Sequence, residues 1–481
     1  MNPVEIGIVA LYLAILTILA LYGGHRAYLL YLYRRHRGER HRVYRLDSLP
    51  PVTVQLPIYN ERYVVERLIR AVCALDYPRD RLEIQVLDDS DDGTSRIAAR
   101  MIAEMRGRGH DIRHLRRGFR SGYKAGALAH GLRQARGEMI AIFDADFVPE
   151  PGYLLDLIHA FGNPRVGMVQ ARWGHMNRDY SRLTRIQAIL LDGHFVIEHA
   201  ARHLSGRFFN FNGTAGIWRR ACIESAGGWQ ADTLTEDLDL SYRAQLMGWQ
   251  FEFAPDVVVP AELPADIDAV RAQQRRWARG SIETARKILP RLLRARLPLG
   301  AKVEALFHLT ANASYPLLVA LSLLIVPATI VRQKAGLTTL ALLDLPLVLL
   351  STLSISAFYL AGQREIGRSG RSAARLLPGL MTFGIGLAVS NARGVLLAFS
   401  RRSGEFVRTP KHDLRGTRGG WRLKDYRAPR SLCVNALEVL LGVYFTGAAL
   451  YAALAGMAAS LPVLVLFQMG FFYRSALQRR S

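Results

Sequence analysis

Hydrophobic positions fall into two regimes along this chain. Near the start and across the C-terminal third they run on for lengths that match a lipid bilayer; between those regions they alternate with polar residues at strand and helix spacing. The first run covers 6–32, interrupted by Gly23, Gly24, His25 and Arg26, and its clean core at 6–22 is just long enough to span hydrocarbon. No basic residue precedes it, whereas Arg34, Arg35, Arg37, Arg40, Arg42 and Arg45 follow closely. The positive-inside rule then puts the N-terminus outside and the next domain in the cytoplasm. A cleaved leader would carry its charges ahead of the apolar run, so the pattern predicts a retained anchor over 1–33.

From Pro51 onward short β-like runs alternate with helical ones. VTVQLPIY, LEIQVLDDS, EMIAIFDADFV and GMVQARWG read as strands; the stretch up to Cys73, SRIAARMIAEMR and KAGALAHGLRQA read as helices. This alternation predicts an α/β domain over 34–265 with a largely parallel sheet. Ligands of such sheets gather beyond the carboxyl ends of strands, where Asp88, Asp89, Asp144 and Asp146 fall. Residues 266–297 are basic and amphipathic, with an apolar stripe through Val270, Trp277, Ala285, Ile288, Leu289 and Leu292, and are expected in the membrane interface within a 266–300 segment.

Region 301–481 holds apolar runs at 303–331, 337–361, 376–399, 431–458 and 461–473. Arg364, Arg368, Arg371 and Arg375 precede the third; Arg401, Arg402, Arg408, Lys411 and Arg415 follow it. Both its ends are therefore cytoplasmic by charge, and Gly379, Gly384, Gly386, Asn391 and Arg393 make it a poor lipid-facing span. An interfacial or re-entrant element is expected at 376–399, leaving five true crossings with the C-terminus inside, as the basic tail RSALQRRS agrees.

Composition sharpens this layout. The 481 residues carry a net charge of +23 and are 50% hydrophobic, and the excess is mostly arginine beside the apolar runs. Membrane lipid and phosphorylated substrates are the natural partners; no zinc-finger spacing or other nucleic-acid signature is present, so nucleic acid is not expected. Cys73, Cys222 and Cys433 are too few and too far apart for a disulfide framework or a metal site.

The chemistry concentrates at 208–281. Thr235-Glu236-Asp237 precedes a helical stretch marked by Leu238, Tyr242, Leu246 and Trp249. Thr235 is an expected N-cap, which would set both acids at a positive helix end and favour their ionised form. An ionised carboxylate at a cleft removes a proton from a hydroxyl. Gln273-x-x-Arg276-Trp277 puts an amide, a fixed cation and a flat ring within one turn, suited to a sugar hydroxyl, a diphosphate and a pyranose face.

Taken in order, Pro57-x-Tyr59-Asn60-Glu61, Asp88-Asp89-Ser90, Asp144-Ala145-Asp146, Thr235-Glu236-Asp237 and Gln273-x-x-Arg276-Trp277 make the chain resemble the processive membrane glycosyltransferases of family 2, with cellulose, chitin and hyaluronan synthases. FNGTAGIWR and AGGW look most like the cellulose-synthase-like mannan and glucomannan synthases. The resemblance implies an α/β GT-A-like glycosyltransferase domain inserted between transmembrane α-helices. It assigns Asp144 and Asp146 to a divalent cation, Mg2+ or Mn2+, that bridges the donor's phosphates. Tyr59, Glu61, Asp88, Asp89 and Lys124 (in Lys124-Ala125-Gly126) go to the donor, with Gln273 and Arg276 closing on its diphosphate. Trp277 and His194 go to the acceptor. Asp237 is favoured as the general base, with Glu236 as its rival. Phe406-Val407-Arg408-Thr409-Pro410-Lys411 is similar to the gating loop of cellulose synthases, within 400–430, and gives Phe406, Thr409 and Lys411 to that loop; Arg408 stands where the family has valine.

The expected protein is an inverting, metal-dependent hexosyltransferase, multi-pass in a bacterial inner or plasma membrane. It would elongate a β-linked glucan, mannan or glucomannan from GDP-mannose, GDP-glucose or UDP-glucose and pass the product through its own helices. Two other readings stay open: a single-transfer glycolipid synthase acting on diacylglycerol or ceramide, and a non-catalytic sugar-nucleotide sensor or polymer channel.

Overall fold

The protein is described from a computed structural model that defines residues 1–38, 45–336, 341–400, 404, 406–422 and 424–473. Arg40, Arg42, Arg401, Arg402, the start of the 337–361 run and the basic tail from 474, all used in the topology expectation, lie outside the described residues.

A seven-stranded mixed sheet forms the centre of the α/β domain. Its strands are β1 (Val52–Ile58), β2 (Leu82–Asp88), β3 (Ile112–Arg116), β4 (Met139–Ile142), β5 (Val166–His175), β6 (Gly216–Arg219) and β7 (Gln250–Ala261), in the order β3-β2-β1-β4-β6-β5-β7. Every pairing is parallel except those of β6, which runs antiparallel to β4 and β5. The expected parallel sheet is therefore found, with β3, β6 and β7 added to it. β4 shows why the layers form. Met139 and Ala141 point into one apolar layer, Ile140 and Ile142 into the other, because side chains alternate across a strand. Buried polar residues on the central strands pair with each other: Thr53 donates to Glu83 at 2.7 Å and Gln55 to Gln85 at 3.0 Å.

Among the described residues four helices are long and apolar enough to cross a membrane: Pro3–His36, Leu299–Lys334 (with a short 3-10 break), Leu343–Glu365 and Leu432–Leu454. The anchor is continuous through its glycines. A methyl group at Gly23 would lie 2.6 Å from Ser351 Oγ, so the expected interruption is a place of close helix packing. The run 376–399 is a pair of helices, Gly370–Gly386 and Ala388–Leu397, bent by 41°. The last expected crossing is an 11-residue helix, Leu461–Phe471, which at ~1.5 Å per residue reaches only about half of ~30 Å of hydrocarbon. Among the described residues four helices have the length and apolarity of a crossing, or five if the bent pair is one span. The amphipathic stretch is one 28-residue helix, Ile267–Arg294. It is wedged against Glu236–Leu246, Leu299–Thr310 and Ala388–Leu397, with much of its first half buried.

Candidate active site

The strand edge carries the chemistry. β1, β2, β4 and β7 end there, and the antiparallel β6 begins there, so residues from five strands meet at one rim. Tyr59, Glu61, Asp89, Asp144, Asp146, Gly213 and Glu262 all line a cavity of about 500 Å³. Lys124, Glu236, Asp237, Gln273, Arg276 and Trp277 line the same cavity, with Phe406, Thr409 and Lys411 reaching it from the C-terminal loop. The sites expected from scattered motifs are brought together. Asp88 is the exception. It is buried off the cavity, where His114 (2.9 Å), Ser95 Oγ (2.6 Å) and the Ser90 amide (2.8 Å) hold its carboxylate. It stands behind the loop that carries Asp89 rather than on the cavity wall where donor contact was expected.

The outer end is aromatic and cationic. Tyr59 Oη donates to Asp91 at 3.3 Å, and the guanidinium of Arg120 lies over the Tyr59 ring with Cζ 3.4 Å from its centroid. Both Asp89 oxygens are taken by the fork of Arg117. Phe406 packs between Tyr123, 5.9 Å away and nearly parallel, and Arg276, whose Cζ is 4.5 Å from the ring centroid.

In the middle, four carboxylates each face a cationic side chain. Lys411 Nζ pairs with Asp146, and Lys124 Nζ with Asp144 and the Gly213 carbonyl. Glu61 is paired with Arg408 at 3.2 Å. Burial pushes Glu61 up to about 7, against the pull of Lys411 and Arg408, and burial does the same to Glu262. Burial alone would lower the Lys411 ammonium, but Asp146, Glu61 and Asp144 raise it well above its ordinary value. Among the described residues no three His, Cys, Asp or Glu side chains form a complete metal cage. Asp144 and Asp146 stand two residues apart on the cavity wall, and two carboxylates can hold a small hard cation only if substrate phosphates and water complete its shell.

Toward the membrane stand the acids of Glu236–Leu246. Thr235 occupies the N-cap position, but its hydroxyl meets Thr284 Oγ1 at 3.2 Å rather than capping the helix. Nor is the ionised form of Asp237 favoured as expected. Burial first, and then the charge of Glu236, push it well above the usual carboxylate range, with Lys124 and Arg276 pulling the other way. The helix end is too weak to offset burial of a carboxylate. Arg276 Nε and Thr409 Oγ1 are buried with no hydrogen-bond partner among the described residues, polar groups left for something the chain does not supply.

His194 lies on the wall with both ring nitrogens engaged: Nδ1 donates to Glu198 at 3.0 Å and Asn212 Nδ2 donates to Nε2 at 2.9 Å. Burial holds it well below its ordinary pKa, hence neutral. The cavity then continues to Arg26 on the anchor, His308 and Tyr315 on the Leu299–Lys334 span, Tyr359 on Leu343–Glu365, and Phe383 at the bent pair. Sequence reasoning missed Arg120, Glu262, Asn212 and the pairing roles of Arg117 and Arg408. Glu262 was findable as an acid at a strand end, had β7 been read. Where the family has valine, Arg408 forms an ion pair with Glu61 and its Cζ lies 3.9 Å from the Tyr426 ring centroid.

A mixed sheet of this order, with carboxylates at the strand ends and a helix-borne acid facing them, defines a GT-A glycosyltransferase. The chain belongs to glycosyltransferase family 2. The description "Glycosyltransferase like family 2" matches residues 50–280. An Arabidopsis thaliana protein named probable glucomannan 4-β-mannosyltransferase 1 is 32% identical over 483 residues, covering 94% of this chain and 84% of that one. Glucomannan 4-β-mannosyltransferase 2 of the same plant is 45% identical over 253 residues, 52% of this chain. That match takes in 47% of the relative, so the chain spans about half the length of such curated relatives. A solved mannosyltransferase from Pyrobaculum calidifontis, in complex with GDP-Man and Mn2+, shares the fold at a TM-score of 0.50 and 24% identity, covering 74% of this chain and 98% of that one.

Proposed function

We propose that this protein is an inverting, metal-dependent mannosyltransferase that extends a β-linked mannan or glucomannan from GDP-mannose and feeds the product into its membrane helices. The observation that carries the reading is the continuity of one cavity from Asp144, Asp146 and Asp237, past Trp277, to Tyr315, Tyr359 and Phe383 of the membrane helices. Its relatives named as glucomannan mannosyltransferases, and the GDP-Man in the solved neighbour, favour mannose and guanine over the glucose and uridine alternatives.

Asp144 and Asp146 would hold the divalent cation, which when bound supplies positive charge to the departing diphosphate. Lys124 and Arg276 add fixed positive charge at the same end, and Phe406 with Thr409 closes the cavity from outside. Trp277 stacks the terminal acceptor sugar. Asp237 takes the proton from the acceptor hydroxyl as that oxygen bonds to the anomeric carbon and the bond to GDP breaks. One such displacement turns an α-linked donor into a β-linked product. A base raised toward the working pH is well matched to this transfer.

The test is incubation of the purified protein in detergent with labelled GDP-mannose, GDP-glucose or UDP-glucose, with Mg2+ or Mn2+, followed by product sizing and linkage analysis. A β-linked polymer from GDP-mannose is expected. A lipid-extractable monosaccharide conjugate would replace this reading with the glycolipid synthase, and absence of donor turnover would replace it with the sensor or channel.

A further inference from the structure

Two arginines from one loop treat the cavity differently. Arg117 is spent on the protein: Nε donates to Asp89 at 2.9 Å, Nη1 to the Ser121 carbonyl at 2.8 Å and Nη2 to the Tyr123 carbonyl at 3.0 Å. The side chain of Arg120, three residues on, makes no hydrogen bond or ion pair with a described residue, yet it lines the cavity beside Tyr59 and Asp89. Two ring faces hold it, with the charges of Asp89 and Asp91 nearby. Its Cζ is 3.4 Å from the Tyr59 centroid and 5.0 Å from that of Tyr123.

At 3.4 Å a guanidinium and a ring lie face to face, so the N–H groups of Arg120 point sideways, in their own plane. A partner must therefore enter edge-on, beside the guanidinium rather than above it. A planar base does so, and a planar fork matches two adjacent acceptors on one edge. Guanine offers such a pair in O6 and N7. Adenine replaces one of them with a donor, and uracil sets each carbonyl beside an N–H or a C–H.

We infer that Arg120 is the residue that selects a guanine nucleotide, its fork donating to O6 and N7 of the base while Tyr59 holds the guanidinium flat. The inference rests on the proposed GDP-sugar donor and names the side chain that enforces it. It also explains an arginine whose side chain makes no hydrogen bond or ion pair with a described residue. Lys124, Arg276 and the cation site serve the diphosphate, which is common to every donor, so discrimination between nucleotides has to come from this outer end.

The experiment measures binding of GDP, UDP and 7-deaza-GDP to the full-length protein in detergent by calorimetry, for the native protein, Arg120→Ala and Arg120→Lys. The native protein should prefer GDP. Arg120→Ala should weaken GDP by roughly 5- to 150-fold, the range of a lost bidentate contact, and UDP by less than about threefold. 7-Deaza-GDP, which lacks the N7 acceptor, should bind the native protein markedly less well than GDP does, and bind Arg120→Ala no worse than GDP. Arg120→Lys keeps the charge without the fork and should not restore the preference. Equal losses for GDP and UDP in Arg120→Ala, full rescue by lysine, or native affinity for 7-deaza-GDP each overturn the inference while leaving the donor intact. A native protein that binds UDP more tightly than GDP removes the donor reading, and the inference with it. The 7-deaza comparison needs no substitution, so a poorly folding variant does not shield the proposal.

Discussion

Gly280 and Thr235 touch so closely that a methyl group on the glycine would lie 2.6 Å from Thr235 Cγ2 and 2.9 Å from its backbone nitrogen. This contact presses the helix Ile267–Arg294 onto the start of Glu236–Leu246 and puts Arg276 and Trp277 on the same wall as Asp237. Gly280→Ala has to part the two helices. It should cost about 1–3 kcal/mol of stability, the usual penalty of overpacking, and lower transfer by at least about tenfold. Thermal unfolding and turnover of the variant check both; native values for both would remove the contact from the account.

Asp237→Asn should abolish transfer while leaving nucleotide binding within about twofold, because its proposed role begins with the acceptor proton. The pH dependence has a definite sign. The base works ionised, and burial together with Glu236 holds its folded-state pKa above the usual carboxylate range. Activity should therefore fall as pH drops through that raised value, where an exposed aspartate would still be ionised. Glu236→Gln should lessen the raising effect and shift the profile to lower pH. Substantial turnover by Asp237→Asn would hand the role to Glu236.

Gly213 supports the same carboxylate from the other side. Its φ is +80°, and an added Cβ would stand 3.0 Å from Asp237 Oδ2 and 3.4 Å from Lys124 Nζ. Gly213→Ala combines left-handed backbone strain of about 1–2 kcal/mol with displacement of the base. The expected result is a kcat loss of about 10- to 100-fold with KM for the donor little changed. A loss confined to KM would mean the loop serves donor binding instead.

Lys411→Met removes the ammonium paired with Asp146. Breaking a buried pair by deleting one partner costs about 3–5 kcal/mol, so the variant in chelator should unfold well below the native protein. Mn2+ should restore most of that loss and bind the variant more tightly than the native protein, as read by Mn2+ electron paramagnetic resonance. Unchanged Mn2+ affinity would show that the lysine and the metal do not share a place.

Much of the framework was legible because it obeys local rules. β1, β2, β4 and β5 announce themselves by short apolar runs, β2 and β4 ending in acids, and Glu236–Leu246 by helical spacing. β3 was missed because Ile112–Arg116 is short and mostly charged, β6 because four residues carry no period, and β7 because Pro255 and exposed positions break its pattern. The anchor's glycines read as an interruption, since nothing local reveals that Ser351 packs against Gly23. Arg120 was invisible among the many arginines of a chain with net charge +23. Only a stacking partner from another strand end distinguishes it.

By itself the sequence determined what depends on neighbours along the chain: the lengths of the apolar runs, the alternation of strands and helices, and the carboxylates at strand ends. Only the tertiary structure decided which charges face each other. It set Lys411 against Asp146 from 265 residues away, gave Arg408 to Glu61, and raised Asp237 where a helix end alone would have lowered it. The physical reason is that desolvation and Coulomb energy depend on separation in space and on the surrounding dielectric, and the order of residues along a chain specifies neither.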